Sequence, residues 1–162
     1  MKQPMRIGTG FDLHQWAEGR RFVLGGVEIP YEMGLLGHSD ADALIHAIID
    51  ALFGALALGD IGQHFPDTDP RYKDVNSMEL LRAAMVLVHD AGYRVSNLDC
   101  TVVTEAPKLA PHIRKMRRTL APVLAVDEED LSIKATRTEN VLFSAQDGLL
   151  AMATVLLLRM NG

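Results

Sequence analysis

The chain has 162 residues, 48% of them hydrophobic, and a net charge of −5. That length supports one domain over residues 1–162 with a substantial apolar core, and the acidic balance offers no basic footprint for nucleic acid. A single cysteine excludes an intrachain disulfide, and no apolar leader or membrane-length apolar run is visible, so a cytoplasmic protein without a membrane partner is expected.

In chain order, Met5 to His14 reads as a strand in which Gly8 and Gly10 allow a ligand or a neighbouring chain to approach the backbone. Phe22-Val23-Leu24 and Val27-Glu28-Ile29 read as a hairpin turned by Gly25-Gly26 and ended by Pro30. After a loop over Gly34 to Asp40, Ser39 is the predicted N-cap of a helix running to about Leu58. Asp42 takes the capping-box position and Gly59 is the stop. On this helix Asp42, His46 and Asp50 recur every four residues as a polar stripe, which needs a partner. A second helix begins at Asn76 or Ser77, with Glu79 in its first turn, and ends at Gly92. Arg94 to Thr104 predicts a strand with Cys100 as a small core residue, Pro111 to about Leu120 a helix, and Leu131 to Thr136 a strand. Leu149 to Met160 admits two readings: its Leu, Ala and Met content favours helix, while its near-continuous apolarity suits a strand buried on both faces. So apolar an end is expected to meet another subunit. The whole order predicts an α+β fold, a mixed β-sheet with helices on one face.

Chemistry concentrates first in Asp12-Leu13-His14 and His46. Residues two apart on a strand share a face, so Asp12 and His14 project together, and His46 needs only to arrive from a helix packed across that face. Two imidazoles and a carboxylate form a zinc-type ligand set whose fourth position stays open, the pattern of a catalytic metal. The alternative is a strand-edge Asp beside a partly exposed His. Polar loops supply further candidates: Asp60 and Asp67 or Asp69 for sugar or polyol hydroxyls, Lys108 for a phosphate or base carbonyl, Glu139 for a hard divalent ion. Each also has a plain reading, as turn formers or solvated charges.

Taken together these segments resemble one family. The strings are Arg6-Ile7-Gly8-Thr9-Gly10-Phe11-Asp12-Leu13-His14, Leu24-Gly25-Gly26-Val27, Gly37-His38-Ser39-Asp40-Ala41-Asp42, His46, Leu58-Gly59-Asp60-Ile61-Gly62, Phe65-Pro66-Asp67-Thr68-Asp69, Ala106-Pro107-Lys108 and Lys134-Ala135-Thr136. In order and spacing they are similar to the 2-C-methyl-D-erythritol 2,4-cyclodiphosphate synthases of the non-mevalonate isoprenoid pathway.

The resemblance implies Zn2+ held by Asp12, His14 and His46, and Mg2+ or Mn2+ held by Glu139 with the substrate's phosphates. It implies a two-layer sandwich assembled as a homotrimer, with the sheets around a central cavity and active sites between subunits. The substrate would be 4-diphosphocytidyl-2-C-methyl-D-erythritol 2-phosphate, whose 2-phosphate attacks the β phosphorus and expels CMP. Asp60 and Gly62 would hold its sugar part, with Phe65, Asp67 and Asp69 beside them, and His38 and Ser39 its phosphates. Thr104, Ala106, Lys108, Leu109, Ala110, Ala135 and Thr136 would hold the cytidine end from a neighbouring subunit, and Thr138 and Phe143 are further substrate-binding candidates. His38 and Arg137 are the candidates for acting on the reacting phosphates.

Departures cluster near the end of the chain. Arg137 stands where relatives have a second threonine, and the family's Gly-Arg-x-Glu-Gly is here Ala145-Gln146-Asp147-Gly148, one residue shorter and without its arginine. Binding of isoprenyl diphosphates in the central cavity is therefore not expected, and a guanidinium at Arg137 either stabilises phosphate charge or occupies phosphate space. Two other functions fit the same residues: a trimeric binding or regulatory paralogue without turnover, and a zinc phosphoester hydrolase. Product analysis separates the three.

Overall fold

The computed structural model describes residues 3–139, 141 and 147–160. Among these described residues, seven strands and four α-helices follow one another as β1 (Met5–Glu18), β2 (Phe22–Leu24), β3 (Val27–Ile29), β4 (Met33–Leu35), α1 (Ala43–Leu56), α2 (Ile61–His64), α3 (Ser77–Asp90), β5 (Tyr93–Val103), α4 (Ala110–Leu124), β6 (Leu131–Thr136) and β7 (Gly148–Arg159). Five strands form one sheet in the order β4-β1-β7-β5-β6, and β2 pairs with β3 as a separate hairpin. The β5–β6 pair is parallel and the remaining pairs are antiparallel, so the sheet is mixed, as expected.

The two readings of the C-terminal run resolve to strand. β7 lies in the middle of the sheet, with β1 on one side over Met5↔Leu158 to Gln15↔Gly148 and β5 on the other. A central strand is shielded by both neighbours and by α1 packed across it, so near-continuous apolarity suits it better than a helix with a solvent face. β1 runs on past His14 because Trp16 to Glu18 find a second partner in β4.

α1 buries ten of its residues, Leu44, Ile45, Ile48, Ile49, Leu52 and Phe53 among them, and lies along β1 and β7. Its approach to β1 depends on glycine. A Cβ on Gly8 would sit 2.0 Å from the Ala51 carbonyl oxygen, and one on Gly10 would sit 2.1 Å from that of Ala47. What comes close to these glycines is thus the chain's own helix, through its small Ala47, Ala51 and Ala55 face, rather than a ligand or neighbouring chain.

Ser39 does not cap α1. The cap is Asp42, which accepts from Ile45 N at 3.1 Å while also accepting from Gly25 N at 2.9 Å and Gly26 N at 2.7 Å. One carboxylate thereby satisfies the helix start and the β2–β3 turn, where Gly25 and Gly26 have positive φ. The helix stops at Leu56 with Ala57 in the left-handed conformation, short of Gly59. Pro111 lies inside the first turn of α4, which continues through Pro122 to Leu124, beyond the expected end. Cys100 is buried as expected, and that burial, with the nearby Asp99 charge, pushes its thiol pKa up to about 12.

Candidate active site

The helix–strand register places the ligands. With Gly8 under Ala51 and Ala55 and Gly10 under Ala47, α1 runs antiparallel to β1, and the next inward-facing strand residues, Asp12 and His14, meet the start of the helix where His46 projects. The three side chains do converge: one potential ligand atom from each lies within 4.8 Å of the other two. Asp12 Oδ2 is 2.8 Å from His14 Nε2 and 3.0 Å from His46 Nδ1. The rings are tilted by 55° with centroids 5.6 Å apart.

Both imidazoles are held from behind. His14 Nδ1 donates to the Leu36 carbonyl at 2.6 Å, which leaves its Nε2 with the lone pair. That Nε2 is sealed from solvent and, among the described residues, has no well-aligned hydrogen-bond partner, although Asp12 Oδ2 is 2.8 Å away. Two atoms in contact but misaligned for a hydrogen bond fit ligands aimed at a shared third centre. Burial would raise the Asp12 carboxyl pKa, but its contacts with His14 and His46 outweigh that and hold it far below the usual range. His14 moves the other way: burial opposes its charge, yet Asp12 and the Leu36 carbonyl raise its pKa. An ionised carboxylate and two imidazoles, one nitrogen of each turned inward, can hold a divalent metal of zinc type.

The expected polar stripe on α1 divides into three unrelated jobs. Asp42 faces the β2–β3 turn, His46 faces Asp12, and Asp50 accepts from Ile61 N at 2.7 Å, anchoring the start of α2. Burial, with the Asp12 and Asp60 charges, raises the Asp50 pKa against that amide bond.

Around the cluster opens a cavity of about 450 Å³ lined by Asp12, His14, His38, Ser39, His46, Gly62, Phe65 and Asp67, all expected, and by Gly37, Ile61, Tyr72, Val75 and Leu80, which were not. Two expected residues stand apart from that lining. Asp60 caps α2 through Gln63 N at 3.0 Å, and Asp69 caps the turn Pro70–Tyr72 and pairs with Arg71 at 2.6 Å. Their capping roles match the plain reading of turn formers.

A second hollow of about 150 Å³ gathers Thr104, Lys108, Leu109, Ala110, Ala135, Thr136 and the exposed Arg137. Ala106 lies beside it, accepting from Thr104 Oγ1 at 2.7 Å. Thr138 is buried, and its amide donates to Glu105 Oε1 at 2.7 Å, tying the two loops of this hollow together. Glu139 is exposed with φ of +51°, and among the described residues it joins no cluster of metal-ligating groups. Phe143, Ala145 and Gln146 lie outside the described residues.

Some of the site carries no sequence signal. The Leu36 carbonyl that orients His14 is backbone, so no residue type announces it. Ser77 was read only as a helix start, yet its hydroxyl lies 3.0 Å from His46 Nε2.

The sequence profile of the YgbB family matches residues 5–158, nearly the whole chain. The chain belongs to the YgbB family. It is similar to the 2-C-methyl-D-erythritol 2,4-cyclodiphosphate synthase of Syntrophomonas wolfei, with 58% identity over 154 residues covering 94% of this chain and 98% of that one. Among solved structures it resembles a 2C-methyl-D-erythritol-2,4-cyclodiphosphate synthase in a CDP-bound form, with a TM-score of 0.87 and 39% identity over 94% of this chain and 99% of that one. It also resembles the bifunctional IspDF of Campylobacter jejuni, with a TM-score of 0.92 and 40% identity, covering 97% of this chain but 43% of that longer one. The fold and the Asp12, His14 and His46 cluster therefore sit in a YgbB-family framework.

Proposed function

We propose that this chain is a 2-C-methyl-D-erythritol 2,4-cyclodiphosphate synthase. It converts 4-diphosphocytidyl-2-C-methyl-D-erythritol 2-phosphate to the cyclic diphosphate and CMP, acting in the cytoplasm as one domain over residues 1–162. The observation that carries the reading is the convergence of Asp12, His14 and His46 at one cavity in a chain 58% identical to a synthase of that name.

Asp12, His14 and His46 would hold Zn2+, and Glu139 together with substrate phosphates Mg2+ or Mn2+. Bound there, divalent cations neutralise phosphate charge and polarise the phosphoryl group. The chain's own residues position the substrate. Ser39 and His38 flank the cluster and face the phosphates, while Gly62, Phe65 and Asp67 wall the cavity around the methylerythritol. Asp60 and Asp69 shape that wall by capping its turns. The smaller hollow receives the cytidine end, with Lys108 as its cation and Thr104 and Thr136 as hydroxyl partners. Arg137 lies at the same hollow, where a guanidinium stabilises charge on the diphosphate. The attacking 2-phosphate oxygen is already ionised, so positioning and charge neutralisation suffice without a covalent nucleophile.

A homotrimer completes the site, bringing the cytidine hollow of one subunit to the metal cavity of the next. Support comes from the sheet face opposite the helices, where Met5, Ile7, Phe11, Leu13 and Met152 stand exposed. A face that apolar is an interface in waiting. Phosphorus NMR of the purified protein with the cytidine diphosphate substrate and a divalent ion tests the function. Cyclic diphosphate and CMP are expected; no turnover, or a linear hydrolysed phosphate, overturns it.

A further inference from the structure

We propose that Asp40 and Ser77 act as positioning residues that hold His46 in the one tautomer able to present Nδ1 to the metal; the inference rests on the metal centre proposed above. A neutral imidazole offers a lone pair at Nδ1 only when its proton sits on Nε2. His46 Nδ1 is the nitrogen turned toward Asp12, so the surroundings of Nε2 decide whether the ligand is available.

Two hydroxyls reach His46 Nε2: Ser77 Oγ at 3.0 Å and Ser39 Oγ at 3.2 Å. A hydroxyl by itself is indifferent, since it can give or take a hydrogen bond. Asp40 removes that freedom from Ser77. The carboxylate is oriented by two backbone amides, Ser77 N donating to Oδ2 at 3.0 Å and Asp42 N to Oδ1 at 3.2 Å. Ser77 Oγ then donates its single proton to Oδ1. Lone pairs are all that it has left to turn toward His46, so Nε2 must be a donor, and Nδ1, which faces the Asp12 carboxylate at 3.0 Å, is the nitrogen left for a metal to take. Ser77 is fully buried, which keeps water from replacing either bond.

Ser39 cannot set the tautomer in the same way. Its Oγ accepts from Ala41 N at 3.1 Å, but among the described residues nothing other than His46 takes its proton. His14 has the same need met more simply. A carbonyl, that of Leu36, can only accept, so Nδ1 of that ring must donate. The two histidines therefore present opposite nitrogens because one is backed by a carbonyl and the other by a serine locked to a carboxylate.

Nitrogen NMR of histidine-labelled, metal-free protein reports the tautomer, and competition with a chromophoric chelator reports zinc affinity. The Asp12 carboxylate also accepts at Nδ1 in the metal-free protein, so the parent should show His46 with Nε2 protonated, alone or as the doubly protonated ring. Ser77→Ala should show the Nε2 proton lost in favour of the Nδ1–H form that Asp12 holds, and a zinc affinity lower by about 10- to 100-fold, in a metal-free protein that remains folded. Asn76→Ala is the control: it loosens the same helix start by removing the acceptor for Met78 N, 2.8 Å away, and should keep the parent's zinc affinity. Parent-like tautomer and affinity in Ser77→Ala overturn the proposal while leaving the metal centre standing. A loss matched by Asn76→Ala also overturns it, making Ser77 a helix-start residue alone. A parent that binds no zinc overturns the metal centre itself, and this inference with it.

Discussion

Asp12 shows how a few atoms decide what a side chain can do. Its Oδ1 accepts from Leu13 N at 3.0 Å, which turns Oδ2 toward both imidazoles. Removal of one imidazole leaves two ligands, too few for a tight zinc site. His46→Ala is therefore expected to lose zinc by more than the roughly 100-fold typical of outer-shell losses, and with it turnover. The fold should survive, because the other apolar residues of α1 stay buried. Zinc content by elemental analysis, alongside thermal melting, checks both halves. Glu139 stands apart from that cluster, exposed and outside its ligand set. Glu139→Gln should raise the magnesium concentration needed for turnover while zinc stays at parent stoichiometry; loss of zinc as well would make the residue structural.

At the scale of elements, the seating of α1 on β1 sets the site. Gly10 stands two residues before Asp12 on β1, and a methyl there meets the Ala47 carbonyl with no flexible group to yield. Gly10→Ala should cost about 1–3 kcal/mol by forcing the helix off the strand, and should weaken zinc binding even though no ligand is changed. Gly54 makes the internal comparison. On the exposed side of the same helix, its Cβ would have the Thr9 carbonyl as nearest neighbour at 3.8 Å. Gly54→Ala should stabilise by about 0.5–1 kcal/mol through helix propensity and leave zinc binding alone. Denaturant melts and zinc titrations on the two variants make the contrast, and equal effects from both would remove the register argument.

Among the described residues, one face of the sheet packs against helices and the other is left uncovered. Ile7 is 71% exposed and Phe11 57%, alternating along β1 with the glycines that face α1. In the proposed trimer that face is buried, so two carboxylates placed there would have to be desolvated on assembly. Ile7→Glu combined with Phe11→Glu should give monomers by sedimentation velocity, lose turnover, and keep the zinc of each chain. A doubly substituted protein that remains trimeric and active would show that assembly uses another surface.

Local patterns were legible wherever one residue's chemistry was enough. Alternation and β-branching mark β5 and β6, Asn76 marks the start of α3, and Gly25-Gly26 marks the β2–β3 turn. Asp12 and His14 on a shared strand face, with His46 on a helix, were legible as a ligand set because periodicity puts them there. Other outcomes needed the third dimension. β7 reads equally as helix or strand until the sheet order places it between β1 and β5. Asp42, His46 and Asp50 share one spacing, yet each faces a different neighbour, and spacing along a helix carries no information about what packs against it. Capping by Asp42 instead of Ser39 follows from the hairpin amides that converge on the same carboxylate, a contact across 16 and 17 residues of sequence. Sequence thus determined which groups were available for the metal, because that depends on residue type and local period. Tertiary structure decided which nitrogen each histidine presents, because that depends on a carbonyl at Leu36 and a carboxylate at Asp40 brought in from other parts of the fold.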